Sequence, residues 1–449
     1  MTDIAGKQDI RPARRIAGSR IAAIFLCGIV GLYFAAIAGY ALAHATEFAT
    51  DTPRLIRYVF APLGLTAFFA ICAFALPAAV GRDIGMVATS ILAALFLFET
   101  VLTIRSFPSE LGLAGHDASG GSTAQYRAGL PPIYTLKALN VRLGATSPSE
   151  TMLGGVPGAE VLLCSHNGAP VRYTADRYGF RNPDRLRDGQ VDLLVLGDSF
   201  TEGICLEDGK DFVSRLREKV PMTFGAGTRG AGPFYELAVL GRYGPVFRPK
   251  HTVIAFFGGN DWENLGHEKD LPYLVPALDE QTDFGPVIPD DATVTRARAI
   301  LEGVWDESSR SAGAVFSSKK IIRNFLALQQ TSLVLGLHYP KASKDEPVFD
   351  KILDRARAMA EGWQGEVLIA YIPPVDRFIG ILDSGFVHDE LRDTVRASAA
   401  QADIGFIDLT EVFLREAEDP SALYAGDAHF NERGAELAAR AIAEALDTE

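Results

Sequence analysis

Only four cysteines occur among the 449 residues. The histidines at 251, 267 and 338 stand at no metal-ligand spacing from them or from acids, which removes support for metal-dependent hydrolysis. Basic residues are outnumbered, 43 against 56, for a net charge of −13. An acidic chain of this kind excludes nucleic acid as a partner class. No internal repeat, nucleotide motif, acyl-carrier motif or coenzyme A motif is visible, so neither a cofactor nor a metal is expected.

Charge is also missing from three long runs. Ile21 to Ala43 and Tyr58 to Val80 each extend 23 residues without a charged side chain, and Ile84 to Ile104 carries one acid, Glu99. About 20 apolar residues suffice to cross a bilayer, so these runs predict three transmembrane helices within residues 21–106 and a lipid bilayer as partner. Lys7, Arg11, Arg14, Arg15 and Arg20 precede the first run. By the positive-inside rule they place residues 1–20 in the cytoplasm and everything beyond the third crossing outside it. Glu99 reads either as a boundary residue or as a polar contact between helices. Cys27 and Cys72 fall inside the runs, whereas Cys164 and Cys205 fall in the exported part. There they are expected to pair as a disulfide, two free thiols being the alternative.

Beyond residue 106 the composition changes. Residues 107–187 are rich in Gly, Pro and Ser, with Ser119-Gly120-Gly121-Ser122 reading as a flexible linker. The apolar run that starts at Val191 then stops at Gly197-Asp198-Ser199. A strand buried on both faces of a parallel sheet has this pattern, and it places Ser199 on a strand-to-helix turn. Ligands bind at such carboxyl ends in open α/β sheets, so Ser199 is a candidate nucleophile; Asp198 and Ser199 serving only as helix caps is the alternative. Thr228-Arg229-Gly230-Ala231-Gly232-Pro233 follows. A second buried run, Thr252 to Phe257, leads into Gly258-Gly259-Asn260-Asp261, and near the C-terminus stands Gly426-Asp427-Ala428-His429-Phe430-Asn431.

These four blocks, in this order, resemble the GDSL or SGNH hydrolase family. The resemblance implies a flavodoxin-like, three-layer α/β/α domain built on a parallel sheet over residues 188–449. Ser199 would be the nucleophile and His429 the general base. Gly230, through its N–H, and Asn260, through its amide, would form an oxyanion hole with the N–H of Ser199. The family spaces its last acid three residues before the histidine, whereas here Asp427 stands two before it, as in alginate-type O-acetyltransferases. Asp427 is thus the expected orienter of His429. Asp176 to Asn182 also looks like a segment found ahead of the nucleophile strand in membrane-anchored members, where Arg181 would meet either substrate or a surface acid.

The chemistry needs these residue types for separate reasons. A serine hydroxyl requires a base within hydrogen-bond reach. Histidine titrates near neutrality, a carboxylate fixes its tautomer, and donors aimed at the developing oxyanion stabilise the tetrahedral intermediate. The expected activity is a serine esterase acting on O-acyl groups of an acylated glycan or other envelope polymer. Alternatives are an O-acyltransferase or a non-catalytic glycan-binding module. The expected location is the bacterial inner membrane, with the catalytic domain periplasmic and envelope partner proteins possible. Residues 262–363 read as a partly helical insertion that shapes the substrate site, with Trp262 and His267 lining it and a strand at Leu333 to Leu337. Val367–Ile372 and Ile404–Ile407 complete the expected strands, and a closing helix begins after Asn431.

Overall fold

The computed structural model describes residues 11–110, 123–166, 169–183, 191–310, 318–339 and 346–446. The expected linker at Ser119 to Ser122 lies outside them. The chain forms two compact units: residues 1–105 with 318–344, and residues 106–317 with 345–449.

In the larger unit, five parallel strands form one sheet in the order β4 (Thr223–Gly227), β3 (Leu193–Gly197), β5 (His251–Phe257), β6 (Glu366–Ile372), β7 (Gly405–Asp408). Side chains along a strand alternate between faces, and both faces of this sheet are covered. Leu194, Leu196, Ile254 and Phe256 pack with the helices Pro233–Phe247 and Val348–Glu361. Leu193, Val195, Val253 and Ala255 pack with Phe212–Lys219, Leu409–Glu416 and Glu432–Leu446. This is a three-layer α/β/α fold with flavodoxin-like strand order. Chain order reverses direction between β3 and β5, and the crevice outside the carboxyl ends of those two strands is where such sheets bind ligands.

Residues 107–187, rich in Gly, Pro and Ser, contain the helix Leu136–Leu143 and an antiparallel hairpin of β1 (Glu160–His166) and β2 (Ala169–Thr174). Thr135 and Gly144 cap the helix, the glycine in the left-handed region at φ 75°. Cys164 of β1 is bonded to Cys205, with the Cα atoms 5.5 Å apart, so the expected disulfide ties the hairpin to the segment after Ser199.

The smaller unit holds three helices long and apolar enough to cross a membrane, Gly18–Ala43, Thr52–Phe74 and Ala78–Arg105. The second begins and ends six residues earlier than the charge-free run suggests. Asp51 caps its start, and the chain turns at Ala75 to Pro77 before the third helix. Residues Ile56–Phe60 of the second helix form a π-helical turn. Leu333 to Leu337, read as a possible strand, instead closes the helix Gln329–Leu335, which groups in one unit with these three helices. Glu99 is buried at 1% exposure and accepts hydrogen bonds from Gln330 N, Thr331 N and Thr331 Oγ1 at 2.7 to 3.0 Å. It is therefore a polar contact and not a boundary residue.

Opening the disulfide should destabilise the larger unit. A bridge across 41 residues constrains the unfolded chain, and its loss costs about 2–5 kcal/mol. Thermal unfolding of the detergent-solubilised chain should shift to lower temperature in a Cys164→Ser/Cys205→Ser variant, and an unchanged midpoint would show that the bridge imposes no constraint.

Candidate active site

β3 is fully buried along its length, and the short helix Ser199–Glu202 starts directly beyond it. Asp198 is its N-cap: Oδ1 accepts the N–H of Phe200 at 2.9 Å. The turn demands close approach, because a Cβ on Gly227 of neighbouring β4 would lie 2.5 Å from the backbone nitrogen of Glu202. The helical turn therefore lies directly against β4, and Ser199 is held at the carboxyl end of the central strands.

His429 comes from a loop between the 3₁₀ turn Pro420–Leu423 and the helix Glu432–Leu446. Ala425 N donates to His429 O at 2.7 Å, and Ala428 takes up the left-handed φ of 67°. The ring of Phe200, one residue past Ser199, contacts the rings of Phe257, His429 and Phe430 with centroids 4.4, 4.9 and 4.8 Å away. That aromatic cluster fixes the imidazole. Its Nε2 lies 2.8 Å from Ser199 Oγ, and its Nδ1 lies 3.4 Å from Asp427 Oδ2. Asp427 Oδ1 also accepts the N–H of His429 at 3.2 Å.

The charges around the imidazole are one-sided. Burial lowers the His429 pKa, but the hydrogen bond and charge of Asp427, with the charge of Asp198, outweigh it and the net shift is upward. Burial pushes Asp427 up, and its contacts with His429 more than reverse that, leaving it below the usual carboxylate value. Asp198, fully buried, is pushed up by desolvation despite its hydrogen bonds and the nearby imidazole. Its Oδ2 accepts from Ser199 Oγ at 3.3 Å, longer than the approach of His429 Nε2.

Gly230 and Asn260 follow β4 and β5, the two strands hydrogen-bonded to β3. Gly230 sits at φ 75° in the turn closed by Ala231 N on Thr228 O, and a Cβ there would come within 2.9 Å of Thr135 Cγ2. Asn260 stands at the N-cap of the helix Asp261–Glu268 without capping it, and its buried Oδ1 has no hydrogen-bond partner among the described residues. Its amide group is thus not engaged as the helix cap.

Trp262 packs against the core at Phe349, 5.3 Å between centroids, and His267 is exposed on the following turn. Arg181 pairs with Asp208 at 2.8 Å and donates to the carbonyls of Glu202, Gly203 and Leu206. It braces the end of the serine helix.

Sequence reasoning missed the pair Glu202 and Arg229. Glu202 Oε2 accepts from Arg229 N and Nε at 2.9 and 3.0 Å, Oε1 accepts from Arg229 Nη2 and from Tyr173 OH, and Arg229 Nη1 donates to the carbonyls of Pro131 and Pro132. A buried carboxylate on the serine helix thereby grips the backbone one residue ahead of Gly230. Beneath the site, Asp261 and Glu236 are also buried, and desolvation holds both far above the usual carboxylate range, with Asp198 adding repulsion to each. Among the described residues no group of three or more His, Cys, Asp or Glu could hold a metal ion.

Residues 195–437, more than half of the chain, match the GDSL-like Lipase/Acylhydrolase family. The chain belongs to this family of serine ester hydrolases. No curated protein matches it. Solved structures with a similar chain path include a member of the lipolytic protein G-D-S-L family from Veillonella parvula, 16% identical over 57% of this chain and 98% of the other, with a TM-score of 0.31. A psychrotrophic esterase, EstA from Pseudoalteromonas sp., is 12% identical over 57% and 96%, with a TM-score of 0.28. LAE5, an alpha/beta hydrolase enzyme from the metagenome of Lake Arreo, is 16% identical over 58% and 97%, with a TM-score of 0.32. The family assignment rests on the sequence match over 195–437.

The raised pKa of His429 leads to a pH test. With the neutral imidazole of His429 as the expected base, the rising limb of kcat/KM against pH is expected above the ordinary histidine value of about 6.5. Asp427→Asn removes the contributions that raise it, so the limb should move to lower pH while kcat falls, by up to about 10⁴-fold as in serine triads generally. A limb that stays in place would separate Asp427 from the titration of His429.

Proposed function

We propose that this family member is a membrane-anchored esterase that removes O-acyl groups through Ser199, His429 and Asp427. The observation that carries this reading is the 2.8 Å approach of His429 Nε2 to Ser199 Oγ at the carboxyl end of β3. Ser199 Oγ attacks the ester carbonyl as its proton passes to His429 Nε2. The carbonyl oxygen becomes an oxyanion facing the N–H groups of Ser199 and Gly230 and the amide of Asn260. Collapse breaks the C–O bond to the alcohol, which leaves with the proton from His429, and an acyl-serine remains. Water then gives its proton to His429 and attacks the acyl carbon; the serine recovers that proton as the carboxylic acid departs.

Asp427 holds the imidazole orientation and offsets the imidazolium charge, consistent with the upward shift of His429. Glu202, through Arg229, holds the backbone that presents Gly230. The alcohol side of the substrate is an acylated glycan or another envelope polymer. That reading is supported by the family resemblance together with the three apolar helices and the basic residues ahead of the first, which favour an inner-membrane anchor with the catalytic domain on the periplasmic face. Transfer of the acyl group to a second alcohol, in place of water, is the alternative favoured by the two-residue spacing of Asp427 and His429.

The test is ester hydrolysis by the detergent-solubilised chain on p-nitrophenyl acetate, against Ser199→Ala. The variant should lose at least about 10³-fold in kcat. Equal rates in both would remove Ser199 from the reaction. Release of free acetate from an acetylated glycan would assign hydrolysis, and its appearance only on an added alcohol acceptor would assign transfer.

A further inference from the structure

The insertion between β5 and β6 contains a segment that groups with the apolar helices and not with the sheet, residues 318–344. It consists of the helix Ser318–Leu326, nine residues, a turn at Ala327 and Leu328 with Leu328 in the left-handed region at φ 52°, and the helix Gln329–Leu335, seven residues. At about 1.5 Å per residue neither helix can cross a hydrocarbon core of about 30 Å. Both ends of the segment lead back into the sheet-bearing unit, so it must begin and finish on one side.

Its contacts fix how far it reaches along the three helices. At the outer end, Tyr58 OH donates to Tyr339 O at 2.8 Å, Arg57 donates to Leu337 O, and the Arg57 guanidinium lies 4.9 Å from the Tyr339 ring centre. Arg57 and Tyr58 belong to the π-helical turn near the start of the second apolar helix. At the turn, Tyr33 OH donates to Leu326 O at 3.1 Å, and the rings of Phe96 and Phe325 are 5.5 Å apart. Tyr33 is ten residues from the end of its helix at Ala43, and Phe96 nine from Arg105. At 1.5 Å per residue both are about 14–15 Å inward, near half the thickness of the hydrocarbon core.

Two further observations match that depth. Over residues 321–339, every exposed residue is apolar: Ile322, Leu326, Ala327 and Leu337. A surface bathed in water would show the reverse. The backbone at the turn is also satisfied from within the protein, as hydrocarbon requires, because the carboxylate of Glu99 takes the N–H groups of Gln330 and Thr331 and the Thr331 hydroxyl. Arg323 precedes the turn, and long cationic side chains reach the interface from such positions.

We infer that residues 318–339 form a re-entrant hairpin that dips into the lipid bilayer from the side of the catalytic domain and is latched there by Glu99. The inference rests on the reading of the three apolar helices as membrane spans. The catalytic domain is then bound to the bilayer through its own insertion as well as through the third span, and its partner at this surface is lipid.

The test is cysteine labelling of the full chain in proteoliposomes with a charged, membrane-impermeant maleimide. The parent chain, with Cys27 and Cys72 buried and the other two bridged, sets the blank. Single variants Ala327→Cys at the turn, Leu97→Cys on the outer face of the third helix and Thr50→Cys between the first two helices are compared. Leu97 is 69% exposed. Ala327→Cys and Leu97→Cys should both label at least about tenfold more slowly than Thr50→Cys, since exposing a membrane-buried turn strands backbone groups. Labelling of Ala327→Cys as fast as Thr50→Cys, with Leu97→Cys still protected, would overturn the hairpin and leave the spans intact. Equal labelling of all three would remove the spans and the hairpin together. Adding Glu99→Leu to Ala327→Cys should raise its rate by about tenfold, as a lost buried acceptor implies; an unchanged rate would remove the latch.

Discussion

The hydrogen bond between Ser199 and His429 joins residues 230 positions apart, and most of the larger unit serves to make it possible. Ser199 is where it is because β3 is buried on both faces and ends at a turn pressed against β4. His429 is where it is because the helix Glu432–Leu446 packs its apolar face on the same side of the sheet as Phe212–Lys219. Phe200 connects the two, since the residue beside the serine packs directly on the imidazole. A change to the volume of Phe200 would therefore act on catalysis by tilting His429, without touching any reacting atom.

Electrostatics around this bond favour proton transfer to the histidine. Asp427 and Asp198 flank the imidazole, and both favour its charged form. Asp198 carries two duties: its Oδ1 caps the serine helix, and its Oδ2 offers Ser199 a second, more distant acceptor. A hydroxyl has one proton to give, so the shorter contact with His429 determines its direction. Glu236 and Asp261 lie below with oxygens that have no partner among the described residues. Their desolvation opposes ionisation, and the charge of Asp198 opposes it further.

Much of the catalytic unit could be read from sequence because its features are local. The first three blocks follow buried strands, and strands buried on both faces announce themselves as short apolar runs; the fourth lies in the loop ahead of the helix Glu432–Leu446. The pairing of Cys164 with Cys205 is legible in sequence only through the exported location expected for both, with two free thiols as the alternative. What escaped depends on distant partners. Glu202 lies inside the serine block, yet nothing local ties it to Arg229, 27 residues on, or to Tyr173. Glu99 reads either way in sequence because its partners, Gln330 and Thr331, are more than 230 residues away. Leu333 to Leu337 read as a strand because a short apolar run has no periodicity to separate strand from helix, and only packing on the apolar helices decides it. Trp262 follows Asn260 closely in sequence, but its packing against Phe349 and Phe256 depends on partners that no local pattern names.

The central claim is that Ser199 is the residue acylated during turnover. Its most direct test is mass spectrometry of the chain after reaction with a fluorophosphonate, which traps activated serines as stable esters. One adduct on the peptide carrying Ser199, lost when His429 is replaced by alanine, is the result the account expects. An adduct on another serine, or none while ester hydrolysis proceeds, would contradict it.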